Sequence, residues 1–297
     1  MADKTAALTQ LIALQLPTPV TLVVTRLDLE RLRHFVAENA GIGYWYLRFD
    51  ERLAPALPRV ANTQSLFALV DGAIRNQPSL TVIVQERVPA ARAGVLAVTP
   101  DAVFVEYVTH ELQALLRLGV TPTRLLLSRE GWVIADQSNT QEFHYRWDGL
   151  EFVREALGVV PSPLGPDVRS QLVKAATHVA ETALLEWIER DNGRIVYLDY
   201  RAMRQDFLCE KSALVRGLKE GMLRNFSPEL EDRAKTRGAG LHHFDLDRPF
   251  HEYAASVLPQ AESLSFAAGG ILSHLSVYAA EQGVYCTVAR PKQRAST

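Results

Sequence analysis

At 297 residues the chain is long enough for one large domain or two modest ones, each with its own core. Its 47% hydrophobic and 22% charged content is ordinary for a soluble globular protein, and a formal net charge of -2 removes the electrostatic reason to invoke nucleic acid or an anionic membrane. No apolar run approaches the roughly 20 residues of a membrane span, Met1-Ala2-Asp3-Lys4 lacks a signal pattern, and Cys209 and Cys286 fit no ligand spacing, so reduced thiols in a cytoplasmic protein are expected.

Residues 4–16 read as a short amphipathic helix ended by Pro17 and Pro19, and Val20 to Thr25 as a strand. Helical periodicity returns over 29–39, with Leu32, Phe35 and Val36 inward, until Gly41 and Gly43 break it. Tyr44 to Phe49 is a strand ending near Arg48, and Ser65 to Asn76 a further helix. Between Leu80 and Pro100 a β-branched strand, a turn at Pro89 and a second strand after Gly94 have the pattern of a hairpin. Strands are expected at 102–107 and 123–128, with His110 and Glu111 on a solvated helix face between them. A polar hairpin over 131–145, a Pro/Gly-rich connector over 160–166 and a helix over 167–183 follow.

Asn192-Gly193, set between two alternating apolar runs, is a strong hairpin signal. In that hairpin Glu186 and Asp199 can share a face, with Arg201 two residues on. Two carboxylates and an arginine are what Mg²⁺–nucleotide chemistry asks for: oxygen ligands for a hard cation and a guanidinium for phosphate. His242 to His251 alternates His with Asp but has no paired ligand spacing, so it reads as a polar loop. Near the end, Gly269-Gly270 permits tight backbone geometry, Ser273 suits a helix N-cap and Gly283 a helix stop, before a short strand over Val284 to Ala289. His274 therefore falls in the first turn of a helix, where N–H groups and the dipole favour an anion. A neutral imidazole there is a competent nucleophile.

The run Gly269-Gly270-Ile271-Leu272-Ser273-His274, with its small-residue helix, Gly283 and final strand, resembles the phosphohistidine segment of the PEP-utilising enzymes. That family holds phosphoenolpyruvate synthase, pyruvate phosphate dikinase and rifampin phosphotransferase. The resemblance extends to Val84-Gln85-Glu86-Arg87-Val88-Pro89 with Gly94, Thr99 and Pro100, and to Glu186-Trp187 with Gly193 and Leu198-Asp199-Tyr200-Arg201. It implies an α/β (α+β) fold, with an ATP-grasp-like nucleotide-binding domain over 1–205 and a swivelling β/β/α phosphohistidine domain over 206–297. It also implies ATP and Mg²⁺ as cofactors, Glu186 and Asp199 as metal ligands, and Lys4, Gln85, Glu86 and Val88 as nucleotide-binding residues. His274, Arg201 and Arg48 become the catalytic groups.

The function so implied is an ATP-dependent phosphotransferase of the dikinase type. His274 would carry a phosphoryl group from ATP to a small-molecule acceptor, or to an acceptor site on a partner protein. Two other readings stand beside it: a catalytically silent module that keeps the fold to bind a partner, and an ATP-grasp ligase in which His274 is incidental.

Overall fold

The computed structural model describes residues 4–25, 29–49, 59–116, 119–149, 152–204, 207–208, 210–225, 241–244, 263–266 and 269–289. The chain divides into two compact units, residues 1–89 with 196–200, and residues 90–195 with 201–297. The sequence boundary expected between 205 and 206 falls outside the described residues, as does most of the 242–251 loop.

In the first unit, α1 (Lys4–Ala13), α2 (Leu29–Glu38) and α3 (Thr63–Asn76) accompany a four-stranded sheet. Its strands are β1 (Thr21–Val24), β2 (Tyr44–Phe49), β3 (Arg59–Asn62) and β4 (Val82–Glu86), in the order β1-β4-β2-β3. All three pairings are antiparallel. Helix α3 starts where the Asn62 side chain accepts the Ser65 N–H at 2.9 Å, which satisfies one of the unpaired donors of a first turn. It then buries Leu66, Val70 and Ile74, spaced four apart on one face. These pack with Leu32 and Val36 of α2 and with Trp45, Leu47, Val82 and Val84 of the sheet to make one core.

The second unit holds a larger sheet, in which β11 (Ala183–Glu189), β5 (Arg92–Val98), β6 (Val103–Thr109), β7 (Thr123–Leu127) and β8 (Val133–Gln137) follow one another, all antiparallel. Strands β5, β6 and β7 are buried along nearly their whole length, as their continuous apolar runs require. A separate ribbon pairs β9 (Gln141–Trp147) with β10 (Phe152–Val159). Helices α4 (Leu112–Leu116), α5 (Pro166–Thr177) and α6 (Lys211–Glu220) complete the middle of the chain, and β12 (Ile195–Ala202) follows β11. A third, mixed sheet has the order β13-β16-β15-β14, from β13 (Met222–Asn225), β14 (Leu241–Phe244), β15 (Ser263–Phe266) and β16 (Tyr285–Ala289). The last helix is α7 (His274–Glu281).

The fold is thus mixed α/β, as expected, and its sheets are mainly antiparallel, but three expectations fail. The stretch 80–100 is not a hairpin: β4 pairs with β1 and β2 in the first unit, and β5 with β6 and β11 in the second. Pro89 marks the passage between the units. The 131–145 segment splits likewise, β8 joining β7 and β9 joining β10. A swivelling phosphohistidine domain is not supported, since residues 201–297 cluster with 90–195 in one unit. Among the described residues no helix is long and apolar enough to cross a membrane.

Gly94, read from the sequence as the start of a strand, has a steric reason to be glycine. A Cβ there would lie 2.3 Å from the Glu106 carbonyl oxygen and 2.8 Å from the Trp187 ring. Gly94→Ala is expected to lower stability by about 1–3 kcal/mol, the usual range for overpacking, in urea unfolding followed by tryptophan fluorescence.

Candidate functional site

The first unit gathers four of the residues singled out from the sequence. Lys4 opens α1, Arg48 stands near the end of β2, Gln85 lies on the central strand β4, and Asp199 belongs to the segment 196–200. Lys4 Nζ donates to Asp199 Oδ2. An Arg48 nitrogen lies 3.6 Å from the same oxygen. The Arg48 guanidinium is also held by the Leu198 carbonyl at 2.8 Å and by Gln85 Oε1 at 3.4 Å. Gln85 in turn donates to Thr21 Oγ1 at 3.2 Å. Asp199 is nearly buried, Arg48 mostly so, and Lys4 is 29% exposed. Two cations thus converge on one carboxylate, leaving local positive charge in partly desolvated surroundings, where electrostatic interactions are stronger than in water.

Glu86 and Val88 sit beside this cluster in sequence. Glu86 exchanges bonds with Val20, donating its N–H to the carbonyl at 2.8 Å and accepting the Val20 N–H on its carboxylate at 3.2 Å. Val88 is buried beyond the end of β4.

The second unit holds Glu186, Arg201 and His274. The helix begins as its residues predict: Gly269 has φ +94°, Ser273 caps by accepting the Ser276 N–H, and Gly283 follows the last turn with φ +75°. His274 Nε2 lies 3.1 Å from Glu186 Oε1, with both side chains mostly buried. At the other end of α7, Glu281 lies 3.4 Å from Arg201 Nε. The first and last residues of the helix are therefore each tied to a charged side chain of the hairpin strands. A carboxylate stands at the helix N-terminus and a guanidinium at its C-terminus, the polarity the helix dipole favours. The turn Arg190–Arg194 closes as Asn192-Gly193 foretold, with Gly193 in a left-handed conformation at φ +75°.

His110 and Glu111 do not lie on a solvated helix face. Glu111 is buried, and the His110 ring, on a residue with φ +67°, stacks 4.7 Å from His144. Burial and the neighbouring His110 push the His144 imidazole below its usual pKa, against the pull of Glu155 at 3.2 Å. No group of three or more His, Cys, Asp or Glu able to hold a metal ion is present among the described residues.

No family model and no curated protein matches the chain. Solved structures to which the chain is similar include the ATP-grasp ligase PsnB complexed with minimal precursor, at 19% identity over 68% of this chain and 52% of that one, with a TM-score of 0.38. Another is the D-alanine-D-alanine ligase from Coxiella burnetii, at 10% identity over 67% and 47%, TM-score 0.40. A third is the macrocyclase MdnC bound with precursor peptide MdnA from Microcystis aeruginosa, at 14% identity over 66% and 50%, TM-score 0.39. The chain spans about half the length of the structures it matches. These neighbours are ligases and macrocyclases, not PEP-utilising enzymes. The assignment to the PEP-utilising family, and with it the dikinase route through phosphorylated His274, is corrected accordingly.

Sequence reasoning missed Thr21, the Leu198 carbonyl and Glu281. Only Glu281 left a signal, as an acid in the last turn of a helix, where an opposite charge is needed to offset the dipole. The Ser273 cap is directly testable: Ser273→Ala should cost about 1 kcal/mol and Ser273→Asp much less, read from chemical denaturation midpoints.

Proposed function

We propose that the chain binds ATP as its magnesium complex and uses it to drive a ligation, in which a small-molecule carboxylate is activated and joined to a nucleophile. The observation that carries the reading is the convergence of Lys4 and Arg48 on Asp199 in the first unit. The donor set fits the ligand: a guanidinium and an ammonium suit phosphate oxygens, and a carboxylate suits a hard divalent cation. ATP would supply the phosphoryl group that activates the carboxylate, and Mg²⁺ would neutralise charge on the phosphates.

The residues divide the work by how firmly each is held. Arg48, fixed by Leu198 and Gln85, is preorganised to grip phosphate without losing further side-chain freedom. Lys4 is the more exposed cation, held by one carboxylate, and can transfer from Asp199 to an incoming phosphate. Asp199, relieved of it, is the proposed magnesium ligand of the first unit; Glu186 is the proposed carboxylate ligand of the second. Gln85 and Glu86 pair with neighbouring strands, so Val88, past the end of β4, is the proposed adenine contact. Arg201 is proposed to assist phosphate binding only as it exchanges Glu281 for the ligand.

A silent binding module is the second reading, favoured by the way Asp199 is already neutralised by two cations. Titration calorimetry with Mg²⁺–ATP, paired with an assay for ADP release in mixtures of carboxylates and amines, separates the two. Binding with acceptor-dependent ADP release supports the ligase; binding alone supports the module; absence of binding removes both the nucleotide and the ligase. Arg48→Ala and Lys4→Ala should each weaken ATP binding by roughly tenfold or more, the size of a lost charge-assisted hydrogen bond.

A further inference from the structure

Strands β6 and β7 read as buried apolar runs, yet each carries one charge, Glu106 and Arg124, directly opposite one another and both fully buried. Arg124 Nε donates to Glu106 Oε1 at 2.9 Å, and a second guanidinium nitrogen donates to Gln137 on β8 at 2.7 Å. The third reaches out of the sheet to the Gly269 carbonyl at 2.9 Å. The Glu106 carboxylate does the same from its side. Oε1 accepts the Ile271 N–H at 3.0 Å and Oε2 accepts the Leu272 N–H at 2.8 Å. Thr121 Oγ1 takes the Gly269 N–H at 3.3 Å, and Ser276 Oγ donates to the Gly270 carbonyl at 3.2 Å. A Cβ on Gly270 would stand 2.4 Å from Glu106 Oε2 and 2.8 Å from Leu115. The glycine is needed so that the turn can reach the carboxylate.

We infer that Glu106, partnered by Arg124, is a positioning residue that sets the turn 269–272 and thereby places His274 against Glu186. A buried ion pair is a weak source of stability, since well-packed apolar residues of similar size often do as well. What this pair supplies that apolar residues cannot is an acceptor for two buried amide donors immediately before the Ser273 cap. The turn has one place to sit because its donors have one carboxylate to reach. The inference needs no nucleotide, so it stands or falls apart from the proposed ATP chemistry.

The test uses the full chain and three variants. Glu106→Gln/Arg124→Met removes both charges together, which avoids stranding either one. Amide hydrogen exchange at Ile271 and Leu272 should rise at least about tenfold while the variant still melts cooperatively. Carbethoxylation of His274 by diethyl pyrocarbonate, followed by peptide mass spectrometry, should accelerate several-fold. Glu106→Asp, which keeps the carboxylate, should restore part of both. Gly270→Ala gives an independent route to the same readouts, because it keeps both charges but forces the turn off Glu106. Wild-type exchange and His274 reactivity in a folded double variant, or in Gly270→Ala should the double variant fail to fold, would overturn the inference.

Discussion

The Asp199 carboxylate sets the terms for the first unit. Lys4 comes from the opening residue of α1 and Arg48 from β2, and both meet the same oxygen. Neither cation would be held so near the other without it, because like charges in partly desolvated surroundings repel strongly. The same arrangement stores a capacity: a polyanion offers the two cations a better partner, and the carboxylate they leave is a hard oxygen donor. In the proposed reading a structural ion cluster and a phosphate site are the same residues, without and with ligand. The proposed activity follows from that economy rather than from any single motif.

The second unit shows how a persuasive motif can be built by packing. Gly269-Gly270, Ser273 and His274 each have a local structural reason. Gly269 adopts positive φ, Gly270 makes room for Glu106, Ser273 caps α7, and His274 ties the helix to Glu186. Arg201 holds the other end through Glu281. Together these contacts fix a helix of 8 residues, too short to be stable in water by itself. A histidine at a helix N-terminus suits phosphate, but it also suits a carboxylate, and here the carboxylate is present.

Local signals were legible and long-range partners were not. The first three helices, the Asn192-Gly193 turn and the Ser273 cap came from periodicity and from residues with strong backbone preferences. Pro89 reads as a hairpin turn because two β-branched runs flank it; that the runs join different sheets depends on partners as far along the chain as Ala183–Glu189, which pair with Arg92–Val98. Lys4, Arg48, Gln85 and Asp199 were each named for chemistry, yet nothing in their spacing says that one carboxylate gathers the two cations. Glu106 and Arg124 had a readable signal that went unused: a lone charge in a continuous apolar strand must find a partner indoors. His110 and Glu111 misled for the opposite reason, since two adjacent polar residues look solvated until tertiary packing covers them.

The central claim is that Lys4 leaves Asp199 for the phosphates of ATP. Acetylation of the Lys4 amino group by a limiting amount of acetic anhydride, quantified by peptide mass spectrometry with and without Mg²⁺–ATP, tests it most directly. The account predicts that ATP shields Lys4 several-fold while AMP does not, with the other lysines unchanged. Equal labelling of Lys4 in the presence and absence of saturating ATP would contradict it.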